Sequence, residues 1–357
     1  MTFPSLLLLA ALAAPPAGAS SGPDRDPAFA SILELEDRRT AGGGALASWL
    51  SPQQPEDVRE RAALAAGRIG APAASPYLLL DLLRHRSAAL RRAAVFALGE
   101  MDDPRGGPLA AAALSDPDAG VRALAAEALG KLKDPSSVER LTALLGDRDE
   151  EAAGSALLAL WKIDPGPLLG RQISSASAIA ASGRGELRRR AVYFLMRALM
   201  ARPGDAAAEE ALARAAGDPD ALTRSWAARG LGASSTARAT GALLDLAADG
   251  DWRVRVNAFN GLRARPVEPS LPGGGPAWPI YEAALRDPRS GVRLAALGAL
   301  ESLRDERARE GLARALSDPH PRWREVAAGA LAAREKEASA GLLTPLAGDP
   351  VWSVRAR

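Results

Sequence analysis

Few side chains of this sequence could carry out acid–base or metal chemistry. The 357-residue chain has no cysteine, which excludes disulfides and thiol chemistry, and it has only two histidines. His85 stands between two arginines and His320 between two prolines, and neither arrangement is typical of a zinc site or a catalytic triad. The glycine patterns of the common nucleotide-binding loops are absent from the sequence. We therefore predict no catalytic residue, no metal site and no cofactor.

Aspartate and arginine recur six residues apart along the chain. The pairs are Asp116 and Arg122, Asp218 and Arg224, Asp249 and Arg255, Asp287 and Arg293, Asp318 and Arg324, and Asp349 and Arg355. A row of carboxylates could bind metal ions or act in catalysis. We favour a structural ladder of Asp–Arg contacts from turn to helix and from repeat to repeat, because a planar guanidinium pairs well with a carboxylate. Where the arginine is replaced, at Ala153, we expect Asp147 to lack its partner.

The acids of this ladder lie in turns between predicted helices. Asp116-Pro117 cannot continue a helix, and the residues that follow place apolar side chains at three- and four-residue steps, the period of an amphipathic helix. A second Asp-Pro step ends this run, and a short helix at about 137–145 follows with Ser136 as its predicted N-cap. A helix pair of this size must stack on copies of itself to bury its apolar face.

Ten copies of this helix–turn–helix unit can be aligned on one apolar position. These anchor residues are Val58, Leu90, Val121, Ala152, Leu187, Thr223, Val254, Val292, Trp323 and Val354. The next residue is arginine in nine of the ten copies, and the fourth residue after the anchor is alanine in all nine complete helices. The pattern predicts an all-α fold, an α-solenoid (superhelix) of about ten stacked helix pairs in one continuous array.

One candidate binding surface stands out on the second helices of copies five to seven. Positions three, six and ten residues after the anchor should look into the concave side, and they present Arg190, Tyr193, Arg197, Trp226, Arg229, Asn257 and Asn260. Arginine, tyrosine and tryptophan are enriched at binding hot spots. The alternative is a solvated helix face with Trp226 half-packed. Trp252 and Trp352 precede their anchors by two residues, and we interpret them as hydrophobic staples.

The repeated pattern resembles a known family. Residues 116–130 read D-P-x-x-x-V-R-x-x-A-x-x-A-L-G, which is similar to the HEAT repeat in the short form found in phycobilisome lyases and many bacterial proteins. The resemblance covers about residues 45–357. It implies a fold more than a function, since the family includes scaffolds, lyases and hydroxylases.

The known activities of HEAT-like enzymes find little support in this sequence. HEAT-type deoxyhypusine hydroxylases carry paired His-Glu steps for two irons, whereas Arg86 follows the first histidine here and Pro321 the second. No residue marks a bilin pocket of the lyase type. HEAT-like DNA glycosylases use a basic groove, but the equivalent register here is mixed in charge and consists of Arg68, Glu100, Lys131, Lys162 and Arg197. We therefore expect no nucleic acid partner.

The N-terminal residues are similar to a secretory signal peptide. Nine apolar residues, 6–14, precede an Ala-Gly-Ala step, so we expect cleavage near Ala19-Ser20 and export to the periplasm or outside the cell. The apolar run is too short to span a bilayer. We interpret 20–26 as a flexible leader, 27–44 as a capping helix with its linker and 45–357 as the repeat array.

The sequence departs from its period in two further places. Residues 265–279 carry five prolines and three consecutive glycines, which predict a surface loop, either a tolerated insertion or a functional element. The last copy stops at Arg357, one turn into its second helix, so we expect this sequence to be a truncated form of a longer protein.

These observations favour a non-catalytic scaffold that binds protein partners on its concave face, without a membrane span. Two alternatives stay open. One is the repeat region of a larger enzyme, such as a peptidyl-prolyl isomerase whose catalytic domain follows the last residue. The other is a lyase-type HEAT enzyme. The sequence names neither the partner nor the oligomeric state.

Overall fold

The fold is known from a computed structural model that describes residues 25–70, 74–163, 169–183, 185–263, 265, 267–268, 276–335 and 339–356. These residues form helices and turns, and they contain no strand beyond a one-residue parallel bridge between Val267 and Leu303. The predicted signal peptide, 1–19, lies outside the described residues.

Twenty-one α-helices follow one another in the described part of the chain. They are α1 Arg25–Asp37, α2 Ala45–Leu50, α3 Glu56–Ile69, α4 Leu80–Leu83, α5 Ala88–Glu100, α6 Gly107–Ala112, α7 Ala119–Leu132, α8 Val138–Leu144, α9 Glu150–Ile163, α10 Leu169–Ser182, α11 Gly185–Ala201, α12 Ala206–Ala215, α13 Ala221–Leu231, α14 Ala237–Leu246, α15 Trp252–Leu262, α16 Trp278–Leu285, α17 Ser290–Ala299, α18 Glu306–Ala315, α19 Pro321–Glu335, α20 Ala340–Leu343 and α21 Trp352–Arg355. After α1 they form ten helix pairs, which confirms the predicted all-α solenoid.

The chain divides into two compact units, residues 1–140 and 141–357. In the first unit the second helices of successive pairs, α3, α5 and α7, pack side by side, and α1 packs against α3. The short first helices α2, α4 and α6 each pack against the second helix of their own pair.

The second unit repeats the same arrangement over more copies. Its second helices α9, α11, α13, α15, α17, α19 and α21 pack each on the next, and the short helices from α10 to α18 form the other layer. Every pair thus buries one side against its neighbours in sequence, as expected of a solenoid.

Two positions of the repeat build this core. The alanine four residues after each anchor is fully buried in all nine copies, from Ala62 to Ala327. The leucine four residues further on is also buried in every copy that has it, from Leu98 to Leu331. The alanine leaves room for the neighbouring helix, and the leucine fills the space one turn later.

Two glycines bring the helices of the first unit into close contact. A Cβ atom on Gly67 would lie 2.8 Å from the Cα atom of Ala97, and one on Gly99 would lie 2.8 Å from the Cα atom of Ala128. Any side chain there would therefore push α3 from α5, or α5 from α7.

The ladder arginines face two ways. Within its own repeat Arg224 donates through Nη1 to the main-chain carbonyl of Asp218, at 2.8 Å, and not to that residue's carboxylate. Its Nε and Nη2 atoms donate to the carboxylate of Asp249 in the next turn, at 2.6 and 2.9 Å. The six-residue pairing predicted from the sequence thus runs through a carbonyl, and the ion pair joins one repeat to the following one.

The same forward ion pair occurs at several other joints. It links Arg91 to Asp116, Arg188 to Asp218, Arg255 to Asp287 and Arg324 to Asp349. Each of these carboxylates also accepts a hydrogen bond from the main-chain amide two residues later, and this bond holds the turn. The donating amides are those of Asp118, Asp220, Arg289 and Val351. One carboxylate therefore fixes its own turn and the preceding helix together.

The forward pairing explains the copy that lacks an arginine. At the regular joints, each acid pairs with the arginine of the preceding repeat. Ala153 therefore supplies no guanidinium that could pair with an acid in the following turn, and the equivalent position in that turn is Ser182 instead of aspartate. The expectation that Asp147 lacks a partner is wrong, because its Oδ1 atom accepts the amide of Asp149 at 2.8 Å.

One joint of the second unit stays open. The guanidinium of Arg293 lies 4.8 Å from the centre of the Trp323 ring, and within the described chain no ion pair joins it to Asp318. Trp323 occupies the anchor position, where the other copies carry smaller residues that are buried, but its own ring is only partly buried. The guanidinium lies near this ring instead of pairing with Asp318, and a cavity of about 510 Å³ lies beside the two side chains.

Several helices are capped by the aspartate that directly precedes them. Asp118, Asp205 and Asp220 each accept the amide three residues later. The predicted N-cap at Ser136 is wrong, because the side chain of Asp134 accepts the amide of Ser136 and caps a short 3₁₀ turn ahead of α8.

Three further expectations need correction. Helix α1 begins at Arg25, two residues inside the segment interpreted as leader. The segment after α15 is not wholly a surface loop, because Arg265 and Val267 are buried, and Arg265 donates to the last carbonyls of α13, Leu231 and Gly232. The staple tryptophans are exposed, Trp352 to 72%, so they do not pack at the helix starts.

The ladder predicts a contrast between two arginine variants. Arg224→Ala removes a partly buried bidentate pair and leaves the Asp249 carboxylate unpaired, so we expect it to lower the free energy of unfolding by about 1.5–3 kcal/mol. Arg293→Ala removes no ion pair and should cost about 1 kcal/mol or less. Urea unfolding followed by circular dichroism tests this, with hydrogen exchange to locate the loss in α13–α15; equal losses in the two variants would contradict the ladder.

Acid should weaken the same joints. Burial alone would raise the pKa of Asp249, but hydrogen bonds from Arg224 and the Asp251 amide outweigh it and hold that pKa below its usual value. The hydrogen bonds from Arg92 lower the pKa of Asp118 in the same direction.

A lowered folded-state pKa means that the unfolded chain takes up protons first as the pH falls. The contribution of these carboxyls is therefore complete above the unfolded pKa, near 3.9, and is lost as the pH drops through the folded values. We expect constant stability from about pH 5 to 7 and cooperative unfolding below about pH 4. Urea midpoints measured across this range check the sign, and a maximum of stability near pH 3 would contradict it.

Candidate functional site

The second helices of the second unit carry a continuous group of aromatic and basic side chains. The rings of Tyr193 on α11 and Trp226 on α13 meet edge to face, with centroids 5.3 Å apart. The guanidinium of Arg197, one turn after Tyr193, lies 4.6 Å from the centre of the Trp161 ring on α9. Together with Arg229, which is exposed, these residues form what we call the aromatic–basic face.

Helix geometry places these side chains on one surface. Tyr193 and Arg197 are four residues apart and Trp226 and Arg229 three apart, so each pair lies along one side of its helix. The opposite sides of α11 and α13 are buried through Ala191 and Ala227. The rings on this face are half-buried, so each has an edge packed on the protein and an edge in contact with solvent.

Arg190, predicted as part of this surface, belongs instead to a joint between two helices. Its Nη1 atom lies 3.0 Å from a carboxylate oxygen of Glu151 on α9, and its Nε atom lies 3.5 Å from Glu186 on α11. Only 8% of the residue is exposed. The guanidinium fits because residue 154 on α9 is glycine, where a Cβ atom would lie 2.7 Å from Nη1. This contact joins α9 to α11, the place where the regular ladder has no arginine.

Of the two asparagines predicted on this surface, one belongs to a contact between helices and the other is exposed. Asn257 on α15 donates to the hydroxyl of Ser225 at 2.7 Å and to its carbonyl at 3.3 Å, so its amide is used to hold α15 against α13. Asn260, one turn later, is exposed. The structure therefore brings together Tyr193, Arg197, Trp226 and Arg229, with Asn260 on the adjacent helix.

Sequence analysis missed Trp161 as a member of this surface. It lies nine residues after its anchor, whereas the predicted surface comprises the positions three, six and ten residues after the anchors. One feature of the sequence could have indicated it. Lys162 occupies the same register on α9 as Arg197 on α11, and Trp161 directly precedes Lys162. Long side chains near this register reach the neighbouring helix.

A metal site would need several acidic or histidine side chains close together in the described part of the chain. No group of three or more histidine, aspartate or glutamate side chains in that part could hold a metal ion. None of the helices resolved there is both long enough and apolar enough to cross a bilayer. The open joint at Arg293 and Trp323 is the other surface feature of the second unit, and it is lined by Ser290, Asp318 and His320 among others.

Fold and surface together define the class of protein. Stacked helix pairs joined by an arginine ladder make this chain a helical repeat scaffold of the α-solenoid type. Comparison with known families agrees. The family described as HEAT repeats matches residues 77–161, 175–263 and 279–357, more than half of the chain, and the chain belongs to that family.

Solved structures with a similar fold have low sequence identity. An engineered protein from a structural genomics programme is 18% identical, with a TM-score of 0.60 and coverage of 87% of this chain and 96% of its own. YibA of Escherichia coli is 16% identical, with a TM-score of 0.53 and coverage of 79% and 98%.

Human deoxyhypusine hydroxylase, in complex with glycerol, is 23% identical over 86% of this chain and 99% of its own, with a TM-score of only 0.32. The similarities to the engineered protein and to YibA concern the fold alone. No curated protein sequence matches the chain significantly.

The two arginines of α11 should respond differently to removal. Arg190→Ala breaks a buried joint and leaves Glu151 without its cation, whereas Glu186 keeps Arg189, so we expect a loss of about 1.5–3 kcal/mol in the free energy of unfolding. Arg197→Ala removes a half-exposed contact with Trp161 and should cost about 0.5–1 kcal/mol. Parallel urea titrations of the two variants decide the point. A larger loss for Arg197→Ala would show that the aromatic–basic face is part of the core.

Proposed function

We propose that this chain is a non-catalytic scaffold that binds a protein partner on the aromatic–basic face. The observation that supports this is the pairing of Tyr193 with Trp226 and of Arg197 with Trp161 on half-buried rings that keep one edge in solvent. Aromatic and arginine side chains held in place by their neighbours lose little conformational entropy on binding, which is why such residues dominate binding hot spots.

Two contacts between helices hold the residues of this face in place. Arg190 ties α9 to α11, and Asn257 ties α15 to α13, so the helices that carry the rings are fixed on both sides. A partner therefore meets a surface that is already organised. This supports binding without a large rearrangement of the scaffold.

Site-specific cross-linking tests the location of the partner. A photo-reactive amino acid at Arg229, exposed on the aromatic–basic face, should give one discrete adduct in cells that produce the protein. The same amino acid at Arg238 serves as the control, because Arg238 is also exposed but lies on α14 in the other helix layer. Adducts at the control position alone, or at neither position, would refute the proposed face.

Trp226→Ala tests the energetic role of the face. The ring is half-buried, so we expect the free energy of unfolding to fall by about 1 kcal/mol, well below the 3–5 kcal/mol typical of a fully buried tryptophan. In the same variant the cross-link from position 229 should become much weaker, because the ring supplies the main apolar contact. Retained cross-linking together with a large loss of stability would mean that Trp226 is a core residue and no part of the binding site.

A further inference from the structure

Along α9, α11, α13 and α15, four cations have no carboxylate within ion-pair distance in the described part of the chain. They are Lys162, Arg197, Arg229 and Arg263, on or directly after α9, α11, α13 and α15. The other arginines of these helices are matched by acids. The matched arginines are Arg188, Arg189, Arg190, Arg224, Arg253 and Arg255. The aromatic–basic face and its margin therefore carry an excess of positive charge.

The unmatched cations are distributed one to a helix. Consecutive second helices pack side by side, and packed helices have axes about 8–10 Å apart. Measured across the helices, neighbouring cations are therefore separated by about 8–10 Å, the distance between the axes. An extended chain of the polyproline II type rises about 3.1 Å per residue with three residues per turn, so every third side chain returns to the same side after about 9.3 Å.

The aromatic rings near the cations indicate which residues of the partner lie between its acidic side chains. Trp161, Tyr193 and Trp226 line the same path, and aromatic surfaces of this kind accept proline and small apolar residues of extended peptides. From the charge, the spacing and the rings we infer that the partner contributes an acidic, extended segment with a carboxylate at every third residue and proline or apolar residues between them. This inference rests on the proposed function and specifies the chemistry of its partner.

A nucleic acid fits these observations less well. Phosphates follow one another at about 3.4 Å along each strand of a duplex, so one cation per helix would leave most of them unmatched.

Binding of a designed peptide to the full chain tests the inference. The probe is a fluorescein-labelled peptide of about five Glu-Pro-Pro triplets, whose carboxylates share one side of a polyproline II helix. The comparison peptide has the same composition with all glutamates together at one end. Fluorescence anisotropy at low salt should show tighter binding of the spaced peptide, weakening as salt is raised.

Matched variants locate the binding. Arg229→Gln should lower the affinity for the spaced peptide about two- to fivefold, the range expected for one exposed ion pair. Arg238→Gln removes the same charge from the other helix layer and should leave the affinity unchanged. Circular dichroism of both variants confirms that each is folded.

Three outcomes would overturn the inference. Equal affinity for the clustered peptide would show attraction to charge without regard to spacing. Tighter binding of an oligothymidine of equal charge would identify a nucleic acid site. Absence of peptide binding, while the cross-link from position 229 persists, would show that the face binds a partner of other chemistry. Loss of that cross-link as well would refute the proposed function itself.

Discussion

A guanidinium that bonds in two directions holds the repeats of this chain together. Its planar group has five N–H donors, enough to reach the carbonyls of its own turn and the carboxylate of the next. In Arg224 both sets of bonds form at once, at 2.6–2.9 Å. Because the accepting carboxylate also receives an amide of its own turn, turn and helix positions are fixed by one network of charge-assisted hydrogen bonds. The core alanines and leucines supply the apolar burial, and the ladder sets the register in which that burial occurs.

The irregular joints show what the ladder does by its absence. Between α9 and α11 the arginine is missing, and Arg190 of α11 joins the two helices through Glu151 of α9, while its contact with Glu186 stays within α11. Between α17 and α19 the arginine is present but lies on Trp323, and a cavity remains. The aromatic–basic face lies on the first of these irregular joints. Trp161 and Arg197 meet across that joint. The face continues onto α13, which the ladder joins to α11 through Arg188 and Asp218.

The sequence predicted the helix pairs and the buried positions well, because both follow from a period that ten copies repeat. It failed where a contact depends on direction in space. A six-residue spacing between Asp218 and Arg224 is visible in the sequence, but the carboxylate of Asp218 binds Arg188 of the preceding repeat. Likewise Arg190 and Tyr193 lie in the same predicted stripe, and only the fold shows that the first is buried between two glutamates. Trp161 was missed because a side chain at the end of one helix reaches the next helix, a contact that depends on the distance between their axes.

The forward direction of the ladder has a consequence for how such a chain can change in length. Each repeat donates one guanidinium to the repeat after it and offers one carboxylate to the repeat before it, so every regular unit has the same two ends. If recombination within a gene duplicated or removed one whole unit, the new neighbours would still present an arginine to an aspartate, and no buried charge would be left over. An insertion that broke the unit at another phase would separate the two partners. Ser182 stands at the position where no acid is needed, because Ala153 supplies no guanidinium to the turn that follows it.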